Sequence, residues 1–249
     1  GVRTVIFLAS LNASQSEYNP ELARKIKVEG SLFCLQESMK NGAEHFINLS
    51  TCHVYGDKLT GLVTEETEIK PKSHYAKSHA EAEKALKIIA DKSNISLNSI
   101  RLSNGVGCPL KPTNDCWSLL INDLCRQAVT KNIITIKSPP NIARDFIPIS
   151  SVEKILMRIT KKQIEYQHNA INLCSSKLST IEDMVSLIVD RCERILNIKP
   201  EIIYNSSETL ESPEYRFSND LILEEFPDEE FYLNKEIDDL INGCSRWFS

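Results

Sequence analysis

Thr51, Tyr75 and His79 are the residues of this chain whose types and spacing could move a proton. They lie in LSTCHVYGD (49–57) and SHYAKSH (73–79). Thr51 ends an apolar stretch that reads as a strand, and Tyr75 opens a helix after a loop containing Pro71. A strand-end hydroxyl and a phenol on the next helix can point into one crevice. A phenol with a lowered pKa acts as general acid or base toward a hydroxyl or carbonyl, and a neighbouring hydroxyl relays the proton or orients the substrate. A cation four residues after the phenol lies one helical turn away on the same face and would stabilise the phenolate. That position is His79, and an ordinary imidazole, with a pKa of about 6.5, is mostly neutral at pH 7. Lys77 is two residues from Tyr75 and faces elsewhere.

The other reactive side chains have plainer readings. His53 is either a polar strand-end residue or a substrate contact. Cys52 has no Cys/His activation pattern around it and reads as a crevice-lining thiol. His45, His74 and His168 are not at metal-ligand spacing, so no metal site is expected. Trp117 and Trp247 read as packing residues. None of the eight cysteines forms a CxxC pair. In a chain with a normal core they read as reduced thiols, which points to a cytoplasmic protein.

These residues need elements to hold them. TVIFLAS (4–10), HFINLS (45–50) and ISLNSIRLS (95–103) read as strands, with helices predicted over 19–42 and 74–92. Asn19 caps the first helix, Pro20 sits in its first turn and Gly42 closes it. Strand and helix alternate, which implies an α/β fold with a parallel sheet covered on both faces. Such sheets bind ligands at the carboxyl ends of their strands, here Ala9-Ser10, Ser50 to His53, and Ser103-Asn104. Further on, helices are expected over 117–130, to about 161, over 180–196 and over 234–247. Strands are expected at 133–137, 144–150, 169–175 and 201–205. The acidic stretch 219–230 reads as a solvated face. At 249 residues, 41% hydrophobic and 25% charged, the chain can bury a sizeable core. Its net charge of −5 gives no footprint for nucleic acid. No run is long enough for a membrane span, and no signal-peptide pattern or internal repeat is evident.

Four segments in order resemble the extended short-chain dehydrogenase/reductases, the NAD-dependent epimerase/dehydratase group that works on nucleotide-sugars. They are VIFLAS (5–10), FINLSTCHVYGD (46–57), HYAKSHAEAEK (74–84) with IRLSNGVGCP (100–109), and RDFIPISSV (144–152). The resemblance covers most of the chain except its C-terminal third. It implies Thr51 and Tyr75 as the catalytic hydroxyl and phenol. His79 falls where the family has its lysine, which also holds the nicotinamide ribose. Ala9 and Ser10 would lie along the cofactor, NAD or NADP. Asn104 and Arg144, with His53, would contact the nucleotide-sugar; a guanidinium suits the bidentate binding of a diphosphate. The implied fold is a Rossmann-type parallel sheet, N-terminally truncated, over 1–107 plus 133–178. A smaller substrate-binding lobe would be formed by 108–132 plus 179–249. The implied assembly is a homodimer through helices 19–40 and 75–92.

Three departures accompany the likeness. No glycine-rich phosphate loop is present among the eight glycines, because the sequence begins at the VIFLAS strand. The family's lysine is His79. The family's asparagine in its N-V-x-G-T segment is Lys27, and the customary Asp after RDFI is Ser151. His53 replaces the acid that dehydratases of the family carry, which argues against the 4,6-dehydratase reaction. The expected function is an NAD(P)-dependent nucleotide-sugar epimerase or reductase, an oxidoreductase of surface-polysaccharide synthesis. The alternative is an impaired or truncated relative acting as a sugar-nucleotide-binding or dimerisation module.

Overall fold

A strand buried on both faces must pair every backbone group with neighbouring strands and bond every polar side chain it carries. The central strands of this chain do both. The structure, a computed structural model, describes residues 1–162, 170–205 and 214–248; His168 and Asn169 lie outside them. The chain divides into two compact units, each described by itself. The first comprises Gly1–Ser103, Ile155–Cys174 and Glu214–Pro227. The second comprises Asn104–Lys154, Ser175–Pro213 and Asp228–Ser249.

The first unit holds β1 (Thr4–Phe7), α1 (Ala13–Tyr18), α2 (Pro20–Arg24), α3 (Gly30–Lys40), β2 (His45–Thr51), β3 (Gly61–Val63), α4 (His74–Ala90) and β4 (Ser96–Leu102). Its main sheet runs β1, β2, β4, then strand Ala170–Leu173, all parallel. The expected α/β architecture with a Rossmann-type parallel sheet is what the structure shows. Leu35, Phe46, Leu86, Ile95 and Leu97 form an apolar core beside the sheet. Buried Asn98 bonds His45 at 2.7 Å.

The helix expected over 19–42 is more articulated than its composition suggests. The Asn19 side chain accepts from the Leu22 amide at 3.0 Å, and Pro20 follows it, so α2 starts where the sequence predicted. Gly42, with φ of +78°, closes α3 in a conformation glycine adopts without a Cβ penalty. Between α2 and α3 the chain makes a π-helical turn, Lys25–Glu29, which no capping or periodicity signal announced. Such one-turn widenings recur at functional sites.

The second unit packs helices Leu120–Lys131, Ile181–Leu196 and Asn234–Phe248 around Ile121, Leu124, Met184, Ile237 and Leu240. Strand Ile133–Ile136 pairs in parallel with Glu201–Tyr204. Ala143–Pro148 lies between Asn104–Val106 (parallel) and Leu178–Thr180 (antiparallel). This pairing groups 133–154 with the second unit, whereas the sequence-based division placed 133–178 with the first. Segment Glu214–Pro227 joins the first unit because strand Tyr215–Phe217 pairs with β3. The acidic stretch is also not wholly a solvated face. It contains helix Asp220–Glu225, it buries Ile222 and Phe226, and Glu229 is buried and paired with Lys154 at 2.7 Å.

Candidate active site

The carboxyl end of β2 is prepared by the residues around Thr51. Thr51 is buried, and its hydroxyl accepts from the His53 amide at 3.2 Å, which turns the chain into a 3-10 segment, Cys52–Tyr55. Gly56 follows with φ of +97°; a Cβ there would meet the Lys70 carbonyl oxygen at 2.7 Å. Glycine is therefore required for the loop to lie back along Val54, whose carbonyl accepts from the Lys70 amide at 2.9 Å. We expect Gly56→Ala to cost roughly 1–3 kcal/mol, a backbone-strain penalty readable as a lower urea midpoint.

Helix α4 starts at a Ser73 cap, whose hydroxyl accepts from the Ala76 amide at 3.1 Å. The cap places Tyr75 in the first turn and His79 one turn on, with their ring centroids 4.5 Å apart. Burial pushes the half-buried Tyr75 phenol up, and the Thr51 hydroxyl beside it pulls the other way. His53 is exposed and meets Tyr75 edge-on at 6.2 Å between ring centroids. Thr51, His53, Tyr75 and His79 are thus brought together, and Lys77 is exposed, as its spacing implied.

Ala9 and Ser10 follow β1 and are exposed. The Ser10 hydroxyl donates to the Leu11 carbonyl at 2.9 Å and lies 3.0 Å from His79 Nε2. The Ser10 hydroxyl can rotate between the two partners, and the tautomer of His79 sets which group donates in the second contact. Nδ1 is buried with no partner among the described residues. Burial, then positive charge at Lys27 and at His53, holds the imidazole down to about 2, so it is neutral across the physiological range.

That shift has a stability consequence. The folded pKa lies below the unfolded value, so the unfolded chain takes up a proton that the folded one refuses. Stability from this group is whole above about pH 6.5 and erodes by about 1.4 kcal/mol per pH unit as pH falls below it. Buried His45, also lowered by burial, adds to the slope. His79→Gln is expected to flatten the dependence in urea unfolding at about pH 4.5–6.5; an unchanged slope would mean that His79 protonates freely in the folded chain.

Residues to which the sequence assigned no role complete the site. Lys27, fully buried, leaves the π-helical turn to donate to Asn48 Oδ1 at 2.8 Å and to the Leu49 carbonyl at 2.7 Å. Ser50 donates to Glu83, and Glu83 is paired with Arg101 at 2.8 Å. The signal available beforehand was the place of Lys27 where the resembled family has an asparagine.

Asn104 and Arg144 belong to the second unit. The Asn104 amide donates to the Asp145 carbonyl at 2.8 Å. Arg144 lies opposite Ser179 in the sheet register, and the Asp145 carboxylate takes the Ser175 amide and hydroxyl at 3.0 and 2.9 Å. Among the described residues no group of three or more His, Cys, Asp or Glu is placed to hold a metal ion. No described helix is long and apolar enough to cross a membrane.

Comparison with known proteins adds to this geometry. Residues 1–174 match the family model described as the NAD dependent epimerase/dehydratase family. Three solved structures share the fold. An RMD from Pseudomonas aeruginosa complexed with NADPH has a TM-score of 0.80 at 20% identity, over 98% of this chain and 81% of its own. A UDP-glucose 4-epimerase from Thermotoga maritima with UDP-glucose has a TM-score of 0.80 at 18% identity, over 98% and 77%. A UDP-glucuronic acid 4-epimerase from Bacillus cereus in complex with NAD has a TM-score of 0.81 at 16% identity, over 99% and 75%. No curated protein matches the sequence.

Proposed function

This chain belongs to the NAD dependent epimerase/dehydratase family, and from that membership we propose that it is a nucleotide-sugar epimerase or reductase, an NAD(P)-dependent oxidoreductase of surface-polysaccharide synthesis. The observation that carries the reading is the meeting of Thr51, Tyr75 and His79 at the carboxyl end of β2, with the two rings 4.5 Å apart. The solved structures of like fold include proteins holding NAD, NADPH or UDP-glucose.

The residues present fit the nicotinamide end of such a cofactor. Ser10, Tyr75 and His79 would hold it, and the buried His79 Nδ1, without a hydrogen-bond partner among the described residues, is the kind of polar atom that a ribose hydroxyl satisfies as donor or acceptor. When bound, the cofactor would supply hydride acceptance and donation. This chain's own part is proton handling. The Tyr75 oxygen takes a proton from a substrate hydroxyl, or gives one to a carbonyl oxygen, and the Thr51 hydroxyl orients that oxygen. Burial raises the phenol, so the resting group is the acid form. Arg144 and Asn104 are the proposed diphosphate and nucleotide contacts, with His53 near the sugar. The proposed homodimer uses helices 19–40 and 75–92, on which Leu22, Phe33 and Ile88 are exposed.

A titration of the chain with NADH, followed by nicotinamide fluorescence, tests the reading. Saturable binding in the micromolar range is expected; none up to millimolar would remove oxidoreductase chemistry from this chain by itself. One observation favours a second reading, a sugar-nucleotide-binding module without turnover: the neutral His79 supplies no charge to a phenolate. Saturable nucleotide-sugar binding without NADH binding would select it.

A further inference from the structure

Tyr75 stands in the first turn of α4, the part of a helix that holds least well. The amides of that turn have no acceptor within the helix, and helix ends fray. Ser73 satisfies the Ala76 amide. The His74 amide, immediately before Tyr75, is satisfied from outside the helix. It donates to Glu17 Oε1 at 2.6 Å, across fifty-seven positions of sequence. Glu17 belongs to α1, the short helix that follows the Ala9-Ser10 strand end.

The bonding within α1 holds that carboxylate in place. Asn12 Oδ1 accepts from the Gln15 amide at 2.8 Å, and Gln15 Oε1 accepts from the Asn12 amide at 3.2 Å. These reciprocal bonds form a capping box. The Ser16 hydroxyl donates to the Asn12 carbonyl at 2.8 Å, and Ser16 is fully buried. Helix α1 packs against α4. Two further bonds tie the same stretch of chain to α4, one before Glu17 and one after it. Ser10 lies 3.0 Å from His79 Nε2, and Arg24 pairs with Glu81 at 2.7 Å. Tyr75 therefore lies between two residues, His74 and His79, that are both bonded to the segment leaving β1.

We propose that Glu17 is a positioning residue for Tyr75: its carboxylate holds the His74 amide, joins the first turn of α4 to the segment after β1, and so sets the place of the phenol relative to Thr51 and the β1 strand end. The proposal deepens the oxidoreductase reading and rests on it for its chemical purpose. Misplacing a reacting group by about 1 Å costs about 10²-fold in rate. A carboxylate on an amide is among the stronger hydrogen bonds available for such a tie. Glu17 is exposed, so water takes over the amide when the side chain is removed. Its loss loosens the turn without leaving a buried group unpaired, and stability is expected to change little. A plainer role is also open to an acid at this place, stabilisation of the helix dipole. That role needs the charge, whereas positioning needs an acceptor oxygen at the right reach. Glu17→Gln keeps the oxygen and removes the charge.

The first measurement needs no turnover. Tyrosine labelled with 13C at Cζ reports the surroundings of Tyr75, whose signal is assigned by its loss in Tyr75→Phe. In Glu17→Ala the signal is expected to shift while the urea midpoint stays near the wild-type value. In Glu17→Gln it should return to the wild-type position. With cofactor and a nucleotide-sugar, Glu17→Ala should lower kcat about tenfold. KM values should change by less than about twofold, and Glu17→Gln should restore most of kcat. An unmoved Tyr75 signal in Glu17→Ala would overturn the proposal. So would a Glu17→Gln variant that behaves as Glu17→Ala does, since only charge at a helix end would then be at work. If the signal moves and returns as expected while the wild-type chain binds no NADH, the oxidoreductase reading fails and the placement of Tyr75 by Glu17 stands.

Discussion

Tyr75→Phe is expected to lower turnover of a nucleotide-sugar substrate by about 10²–10⁴-fold, which would put it below detection. The change removes one oxygen and leaves the ring in contact with His53 and His79. The substitution therefore separates proton transfer from packing, and the fold should be kept. Two measurements give the result its meaning. Affinity for NADH should fall far less than turnover, because Tyr75 is one of three side chains proposed to hold the cofactor whereas the proton transfer is lost outright. The urea midpoint should hold or rise slightly, because a buried phenol whose ionisation is opposed by burial contributes little to stability. Unchanged turnover would remove Tyr75 from the chemistry and leave Thr51 and His79 without a role as its partners. Thr51→Val should give a smaller loss, since the Thr51 hydroxyl orients the oxygen and does not itself take the proton, although its removal also frees the His53 amide.

Much of this arrangement was legible in the residues before their positions were known. Strand and helix alternation indicated the parallel sheet because buried parallel strands are short apolar runs, and Asn19, Pro20 and Gly42 marked one helix because caps and closures depend on local chemistry alone. The meeting of Thr51 with Tyr75 followed from a strand end and the first turn of the next helix. What escaped depended on pairs distant in sequence. Lys27 stood out only as the replacement of the family's asparagine, and its acceptors Asn48 and Leu49, 21 and 22 residues later on a strand, are what make it a buried cation. The hydrogen bond between His79 and Ser10 spans sixty-nine positions, a pairing that local sequence cannot specify. The unit boundary moved for the same reason: 133–154 was assigned by position, but strand partners at 178–180 and 201–204 decide which core it joins.

The second large effect is expected in stability, at the ion pair beneath the site. Arg101 and Glu83 have side chains only 8% and 9% exposed. Burial alone would weaken the guanidinium's hold on its proton; hydrogen bonds and charge from Glu83, then Tyr55, outweigh that and raise it above its ordinary value. The guanidinium also donates to the Tyr55 hydroxyl at 2.9 Å and the Glu65 carbonyl at 3.1 Å, and Tyr55 donates to Asn172 at 2.6 Å. Ser50, next to Thr51, donates to the same Glu83 carboxylate. Removing one partner leaves the other charge buried without its counter-ion. Arg101→Met is therefore expected to cost about 3–5 kcal/mol, and Glu83→Leu a similar amount. The double replacement should recover much of the loss, because two apolar groups of similar volume need no desolvated charges to be balanced. Urea unfolding of the four proteins gives the cycle directly. A single variant costing under about 1 kcal/mol would show that water reaches the pair, as it reaches exposed pairs of that strength. A large coupling would mean that the strand end carrying Thr51 is held by this network, and that rigidity at the proton-transfer site has its origin in an ion pair one layer below it.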